Sequence, residues 1–218
     1  VFDGVHLGHR HLLERSIVRA QEQGLASMVI TFDPHPRQVL RSENDITYLT
    51  APAERVRLLR EAGVDEVAVV TFDREVAELS ASSFVELLRR HLGMRGLVVG
   101  PDFALGRGRE GDVAFLNALG QAQGFFVEVV PPFLLAGEVV SSTRVREALM
   151  AGDMGLAARL LGRWPRLAGQ VVKGDERGRG LGFPTANLDL NSHLLIPADG
   201  VYATRAYALG QALASVTS

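Results

Sequence analysis

The 218-residue sequence contains no cysteine, so it forms no disulfide bond and offers no thiolate ligand to a metal. It also lacks an apolar run long enough to cross a bilayer. Acidic and basic residues nearly balance at a formal net charge of −2, whereas broad nucleic-acid binding requires a basic surface. We therefore expect a cytoplasmic enzyme, with neither nucleic acid nor a membrane as a partner. The sequence leaves the oligomeric state open.

Apolar strand patterns alternate with helical patterns up to about residue 160, which is typical of an α/β domain built around a parallel sheet. Hydrophobic residues make up 47% of the chain, enough for a packed core. We predict strands at 27–32, 66–72, 95–100 and 125–130. We predict helices at 12–23, 52–62, 82–92, 113–123, 143–150 and 154–161, with Asp112 as the N-cap of the fourth.

The pattern changes at Gly162-Arg163-Trp164-Pro165, where helical periodicity gives way to glycine-rich turns and short alternating runs. We predict one domain over 1–162 and a β-rich domain over 163–218, with strands at 168–172, 201–207 and 213–216. The chain begins inside a motif and stops within the alternating pattern. We therefore expect the first strand to lack most of its residues and the β-rich domain to be incomplete.

The most informative motif is His6-Leu7-Gly8-His9, which lies where an apolar strand gives way to a helix. Residues three apart share a helix face, and the first turn of a helix offers free N–H groups and the positive end of the helix dipole. Two imidazoles that donate hydrogen bonds there form a receptor for phosphate, and Gly8 lets a nucleotide approach the backbone. A His-rich surface helix is the alternative for the motif alone, and a zinc site shared with His11 is a weaker one.

Three further polar segments each follow a predicted strand, so all of them can reach one crevice at the edge of the sheet. The segment TFDPHP at 31–36 is a proline-stiffened loop in which Phe32 offers a flat apolar surface. The segment GPDFALGRGREG at 100–111 carries arginines that can meet phosphate and Asp102, which can bind a hydroxyl or a ring nitrogen. The segment VSSTRVR at 140–146 leads into a helix, with Ser142 or Thr143 as the predicted N-cap and arginines that can hold phosphates. Each segment could also have a purely structural role: a turn at 31–36, a flexible surface loop at 100–111 and a helix cap at 140–146.

Together and in this order, the four segments resemble the bacterial bifunctional riboflavin kinase/FMN adenylyltransferase (FAD synthetase) family. The matching stretches are FDGVHLGH, TFDPHP, VGPDFALGRGREG and VSSTRVR. The β-rich segment agrees, since residues 174–187, which end in PTAN, resemble the kinase signature of that family and Gly200-Val201-Tyr202-Ala203 follows. The resemblance covers almost the whole chain. It implies a Rossmann-like nucleotidyltransferase domain with a parallel sheet, followed by a β-barrel-like flavokinase domain.

The resemblance implies that the first domain transfers AMP from ATP to FMN, giving FAD and pyrophosphate, with Mg²⁺. The implied catalytic residues are His6, His9 and Arg146, which would stabilise charge on the phosphates. The implied ATP-binding residues are Gly4, His6, Gly8, His9, Asp102, Ser142, Thr143 and Arg146. The implied flavin-binding residues are Phe32, Asp33, His35 and Phe103. The phosphate of FMN is the attacking group and is already ionised, so no strong general base is required.

For the second domain, the resemblance implies phosphorylation of the 5′-hydroxyl of riboflavin by ATP. Gly174 and Gly182 would bound a loop over the nucleotide, while Thr185 and Asn187 would hold Mg²⁺ and the ATP phosphates. A kinase of this type needs a carboxylate to accept the hydroxyl proton. In the family that glutamate lies further downstream than this sequence extends, so we expect the kinase domain to be incomplete in this chain.

Two other functions remain open at this point. One is another HxGH adenylyl- or cytidylyltransferase with a phosphopantetheine-like or polyol-phosphate-like acceptor, although the PTAN segment argues against it. The other is a module that binds FMN or FAD without turnover. The sequence also departs from the family pattern at Ala104-Leu105, where a basic residue and a phenylalanine are usual.

Overall fold

The computed structural model describes residues 1–41, 47–174, 185–190 and 193–218. Its helices are α1 (Leu7–Glu22), α2 (Pro36–Arg41), α3 (Pro52–Glu61), α4 (Arg74–Glu78), α5 (Ala81–Leu92), α6 (Val113–Gln123), α7 (Ser142–Met150) and α8 (Met154–Leu161). All the predicted helices are present, and apart from α1 their bounds agree within one residue. The sequence did not predict α2 and α4. No helix within these ranges combines the length and the apolar surface needed to span a bilayer.

Helix α1 begins at Leu7, well before the predicted start, because His6 caps it. The Nδ1 atom of His6 accepts a hydrogen bond of 3.2 Å from the backbone N–H of His9. Histidine is not among the preferred N-cap residues, so the sequence carries no ordinary capping signal there. The predicted cap of α6 is confirmed, since Asp112 accepts from the N–H of Phe115 at 2.8 Å.

The four strands predicted between residues 27 and 130 form parallel pairs, as expected for an α/β domain. They are β1 (Met28–Asp33), β2 (Glu66–Thr71), β3 (Gly96–Val99) and β6 (Phe126–Val129). Strand β1 pairs with β2, and β3 pairs with β6. Within the described residues the two pairs are separate rather than one continuous sheet. Short antiparallel hairpins that the sequence did not predict are β4 (Ala104–Leu105) with β5 (Gly111–Asp112) and β7 (Leu134–Leu135) with β8 (Glu138–Val139).

Helix α1 connects the two parallel pairs. On one side, Leu13 packs in an apolar cluster with Val29 of β1. On the other side, Arg15 donates a hydrogen bond of 2.6 Å to Glu128 of β6, and the guanidinium of Arg19 lies 4.9 Å from the ring centre of Phe126. Helix α1 is therefore held by both halves of the α/β unit.

The turn before α1 lies between two apolar clusters. Val5 belongs to a cluster formed by α1, β1 and α3, which includes Leu13 and Leu59. Leu7 packs against a second cluster, formed by α7 and α8 around Val145 and other buried residues. Because apolar side chains anchor this turn on both sides, the polar groups of the turn occupy defined positions.

The C-terminal strands are antiparallel and form two separate pairs. They are β9 (Gln170–Val172) with β10 (Asn187–Asp189) and β11 (Tyr202–Ala208) with β12 (Gln211–Thr217). The strands predicted around 168–172, 201–207 and 213–216 are present with shifted ends, and β10 was not predicted. The barrel-like expectation is not confirmed, because the described strands do not close into a barrel. Residues 193–195 pair with Tyr48, where the backbone N–H of Leu195 donates to its carbonyl at 2.8 Å.

Candidate active site

The two histidines of the HLGH motif are stacked at the N-terminal end of α1. Their ring centres are 3.7 Å apart and their planes differ by 17°. The ring of Phe2 lies 5.1 Å from that of His9, and His6 is only 5% exposed. Because Nδ1 of His6 accepts a hydrogen bond, the neutral ring carries its hydrogen on Nε2. His6 therefore has an N–H donor in addition to its capping role.

Burial keeps both imidazoles neutral at ordinary pH. Desolvation, followed by the positive charges of Arg163 and Arg146, lowers the pKa of His6 from 6.5 to about 4. Desolvation and then the nearby His6 lower the pKa of His9 well below 6.5. The Nδ1 atom of His9 is buried, and no group in the described part of the chain bonds to it. The pair offers hydrogen-bond donors without a net positive charge.

Two glycines allow the close packing of this turn. Gly4 has φ +84°, and a Cβ added there would lie 2.8 Å from Cδ1 of Leu49. A Cβ on Gly8 would lie 2.8 Å from the carbonyl oxygen of Val140. We predicted that Gly8 makes room for a nucleotide, and the structure adds a second reason, since protein backbone already occupies that side. The first turn of α1 therefore lies against the segment that leads into α7.

Asp3 joins three parts of the chain at the start of the motif. Its carboxylate accepts hydrogen bonds from the backbone N–H groups of Leu49 at 2.9 Å and Thr50 at 3.2 Å, and it pairs with Arg146. Its carbonyl oxygen accepts a hydrogen bond of 3.0 Å from Oγ of Ser142. The structure therefore brings FDGVHLGH and VSSTRVR together, as the proposed shared pocket requires.

The N-terminus of α7 differs from the prediction in its cap. Neither Ser142 nor Thr143 is the N-cap: Ser141 is, because its Oγ accepts from the N–H of Arg144 at 3.3 Å. Ser142 is the first residue of the helix and bonds to Asp3, while Thr143 is exposed. Arg146 lies one turn further and donates through Nη2 to Asp3 and, at 3.4 Å, to the carbonyl of Thr47. Three consecutive hydroxyls left the choice of cap open in the sequence.

The aromatic side chain of the TFDPHP segment packs within the protein. The ring of Phe32 meets that of Phe72 edge-on at 5.3 Å and that of Phe84 at 6.4 Å. The carbonyl of Phe32 accepts a hydrogen bond of 2.9 Å from the fully buried guanidinium of Arg55. Asp33 ends β1 and is half-buried. These contacts hold the loop after β1 in place.

The histidine of the same segment is linked to the motif through Tyr48. The backbone N–H of His35 lies 3.0 Å from the hydroxyl of Tyr48, which donates at 2.6 Å to Gln38. Burial and neighbouring positive charges lower the pKa of His35 to about 4. Tyr48 directly precedes the two N–H groups that Asp3 binds. Residues 47–50 therefore connect TFDPHP with FDGVHLGH.

The 100–111 segment is ordered by contacts of its own. Its Asp102 and Phe103 are exposed, and the carbonyl of Asp102 accepts from Arg109 at 2.8 Å. Glu110 accepts the N–H of Ala81 at the start of α5, at 2.8 Å. In the described residues, no hydrogen bond, ion pair or ring contact joins this segment to His6 or His9. The structure thus joins FDGVHLGH and VSSTRVR directly and links TFDPHP to them through residues 47–50.

Among the predicted kinase residues, two lie side by side. A Cβ on Gly174 would lie 1.9 Å from Nδ2 of Asn187, so the amide group rests against that glycine. Thr185 and Asn187 are both exposed. Gly182 lies outside the described residues.

The zinc alternative does not match the geometry. His6 and His9 stack face to face, while the ring of His11 lies 5.7 Å from that of Phe133. The three imidazoles therefore do not converge, and no cluster of metal-ligating side chains occurs in the described ranges.

Sequence reasoning assigned no role to several residues that build this site: Asp3, Thr50, Arg55 and Arg163. Asp3 lies within FDGVHLGH, so its place in that motif was the sequence signal that could have identified it. Thr50, Arg55 and Arg163 act through contacts with residues at least 23 positions away, and no local pattern marks them.

Comparisons with known proteins agree with the motif pattern. A family model described as FAD synthetase matches residues 1–144, and one described as riboflavin kinase matches residues 161–218. Only residues 145–160 lie between these two matched stretches.

Similar whole proteins carry both descriptions. The bifunctional riboflavin kinase/FMN adenylyltransferase of Escherichia coli K12 is 42% identical over 96% of this chain and 67% of its own length. Its namesake from Pseudomonas fluorescens is 45% identical over 92% of this chain and 64% of its own length. The chain thus spans about two thirds of these relatives. A solved structure described as a macrolide-efflux protein from Streptococcus pneumoniae matches with TM-score 0.88 and 32% identity, over 99% of this chain and 70% of that one.

Proposed function

The chain belongs to the bifunctional riboflavin kinase/FMN adenylyltransferase family, and we propose on this basis that its residues 1–162 form a domain that transfers AMP from ATP to FMN. A phosphate oxygen of FMN attacks the α-phosphorus of ATP, and the bond between that phosphorus and the oxygen bridging to the β-phosphate breaks. FAD and pyrophosphate are the products, and the attacking phosphate is already ionised. The observation that carries the proposal is the meeting of the HLGH and SSTRVR segments at Asp3.

We propose that the ATP phosphates bind beside the first turns of α1 and α7. Gly8 of α1 lies against Val140, two residues before α7 begins, so the two helix N-termini are neighbours. Each contributes free backbone N–H groups and the positive end of its dipole. Gly4 and Gly8 shape the turn, and Thr143 is exposed at the same end of α7. This arrangement favours a polyanionic ligand.

The histidines act in this proposal as neutral donors. The Nε2–H of His6 and the imidazole of His9 donate hydrogen bonds to phosphate oxygens as negative charge develops in the transition state. Neither ring has to gain or lose a proton, because their lowered pKa values keep them neutral. Preorganised donors of this kind stabilise the transition state without reorganising during the reaction.

Arg146 supplies positive charge for the ATP phosphates in this proposal. Both of its hydrogen bonds in the described structure use Nη2, which leaves Nη1 and Nε to bind the departing pyrophosphate. Its pairing with Asp3 fixes the guanidinium beside the HLGH turn. We therefore assign Arg146 to leaving-group stabilisation.

The flavin is proposed to bind beside the loop after β1 and the 100–111 segment. Phe32 and Asp33 end β1 and His35 lies on the loop that follows, and this part of the chain is held by Arg55 and Tyr48. Phe103 is 37% exposed and offers an apolar ring surface. Asp102, next to it, is proposed to bind the nucleotide.

Residues 163–218 are proposed to form the riboflavin kinase domain, which uses ATP to convert riboflavin to FMN. The hydroxyl of Thr185 and the amide oxygen of Asn187 are hard oxygen donors of the kind that Mg²⁺ prefers. Both side chains are exposed, and Asn187 rests against Gly174, so they fit a metal–nucleotide site. Mg²⁺ bound there would neutralise charge on the ATP phosphates.

The adenylylation proposal is tested by incubating the chain with ATP, Mg²⁺ and FMN. We expect FAD and pyrophosphate in equal amounts, measured by chromatography and a coupled pyrophosphate assay, with none when FMN is omitted. Flavin that stays bound without pyrophosphate release would instead show a binding module. AMP transfer to a phosphopantetheine-like or polyol-phosphate-like acceptor, but not to FMN, would show a different nucleotidyltransferase.

A further inference from the structure

Arg163 reaches from the junction after α8 into the turn that precedes His6. Its Nη2 donates to the carbonyl of Gly4 at 2.6 Å, and its Nη1 donates to that of Val5 at 3.0 Å. Nη1 also donates to the carbonyl of Leu161 at 3.2 Å. One guanidinium thus binds two consecutive carbonyl groups of the motif turn and ties them to the end of α8.

The turn requires such a partner because its backbone is unusual. Gly4 has φ +84° and Val5 has φ +39°, a region that a β-branched residue adopts only when its surroundings impose it. Both residues are buried, and buried carbonyl groups need donors. Arg163 satisfies both with charge-assisted hydrogen bonds, which are stronger than neutral ones.

The backbone next to Arg163 is also fitted to the motif. Gly162 has φ +68°, and a Cβ added there would lie 2.6 Å from Cδ2 of Leu7, the first residue of α1. The approach of the junction to the motif therefore depends on Gly162 as well as on the guanidinium of Arg163. These two independent contacts fix the junction against the start of α1.

We propose that Arg163 is a positioning residue for adenylyl transfer, which holds the Gly4–Val5 turn and through it the imidazoles of His6 and His9. This inference rests on the proposed function. Arg163 lies in the stretch that matches the riboflavin kinase model, residues 161–218, yet it donates to the carbonyls of Gly4 and Val5 in the stretch that matches the FAD synthetase model. A residue of the kinase stretch thus completes the adenylylation site.

The experiment compares Arg163→Met and Arg163→Lys in the full chain with Arg159→Met, an exposed arginine on α8. For Arg163→Met we expect kcat for FAD formation to fall about ten- to a hundredfold, because small displacements of catalytic donors are costly. We expect the KM for ATP to change less than about threefold, since ground-state binding is shared with other groups. Arg163→Lys should recover part of kcat, and Arg159→Met should match the parent.

A second readout does not depend on turnover. NMR titration of the histidines should show a higher pKa for His6 in Arg163→Met than in the parent, since a nearby positive charge has been removed while that of Arg146 remains. A kcat for Arg163→Met within about twofold of the parent would overturn the proposal. If the parent makes no FAD, the proposed function fails, and the titration still decides whether Arg163 holds the turn: unchanged His6 and His9 signals in Arg163→Met would show that it does not.

Discussion

Replacing Asp3 with alanine is expected to lower the free energy of unfolding by about 3–5 kcal/mol. The side chain is 3% exposed. Its oxygens accept from the backbone N–H groups of Leu49 at 2.9 Å and Thr50 at 3.2 Å and from the guanidinium of Arg146. Alanine leaves all three donors without this acceptor, while the bond from Ser142 to the backbone carbonyl of residue 3 and the bond from the N–H of Gly4 to Thr50 remain.

The magnitude follows from these lost contacts. A buried N–H left unsatisfied costs about 1–3 kcal/mol, and removing one partner of a buried ion pair costs about 3–5 kcal/mol. Because the three donors share a single acceptor group, the costs overlap and do not add. A domain with a total stability of about 5–15 kcal/mol would still fold, but with little margin.

The variant Asp3→Asn separates charge from shape. Burial raises the pKa of Asp3, against the opposing effects of the Leu49 N–H and Arg146, so a neutral side chain of the same shape is partly tolerated. The amide oxygen keeps one acceptor, and we expect a smaller loss of about 1–3 kcal/mol.

Urea unfolding at pH 7, followed by far-UV circular dichroism, measures both effects. Asp199 is exposed, and Asp199→Ala should stay within about 0.5 kcal/mol of the parent. A loss below about 1 kcal/mol for Asp3→Ala, with an unchanged dependence on urea, would refute the view that this carboxylate joins the three segments.

Three further outcomes follow from the site. His9→Ala should lower the rate of FAD formation by about a hundredfold or more, the effect of losing one preorganised donor, and an unchanged rate would remove the role given to it. Because the pKa of His6 is held near 4 in the folded chain and is about 6.5 when unfolded, the unfolded state takes up the proton first as pH falls. Stability should therefore drop by about 2 kcal/mol from this residue between pH 7 and 5, and urea titrations of His6→Gln should lack that part of the pH dependence. Gly8→Ala should destabilise the protein by about 1–3 kcal/mol through the clash with Val140, whereas Gly155→Ala, with only ordinary contacts, should be neutral or slightly stabilising in the same thermal melts.

Local patterns predicted those elements whose signals are local. Helix α6 has its predicted bounds, because Asp112 is a strong cap and Gly124 ends the helix with φ +75°. Strand β1 is displaced by one residue from its prediction because an apolar run does not mark its own end. The two-residue strands β4 and β5 were missed, since their pairing depends on contacts across a loop and not on periodicity.

In the candidate site too, the features with local sequence signals were predicted and those that depend on long-range contacts were not. Four motifs and their family could be identified from residue types and spacing, since glycine, histidine and arginine in that order carry the chemistry of phosphate binding. The cap of α7 could not be predicted among three neighbouring hydroxyls, and Ser141 proved to be the one whose backbone leaves the helix. The contacts of Arg55 and Arg163 join residues far apart in the chain, so no window of sequence contains them.

The sequence by itself determined the order of the main helices and parallel strands, the absence of thiol chemistry and the position of the HLGH motif at the head of a helix, because each depends on residue type and short-range spacing. Only the tertiary structure decided that Asp3 would join the first and last motifs, that both imidazoles would be stacked and neutral, and that Arg163 would hold the turn before them. Burial, pKa values and long-range hydrogen bonds depend on which residues, far apart in the sequence, become neighbours and exclude water in the folded chain. Only the tertiary structure shows which residues these are.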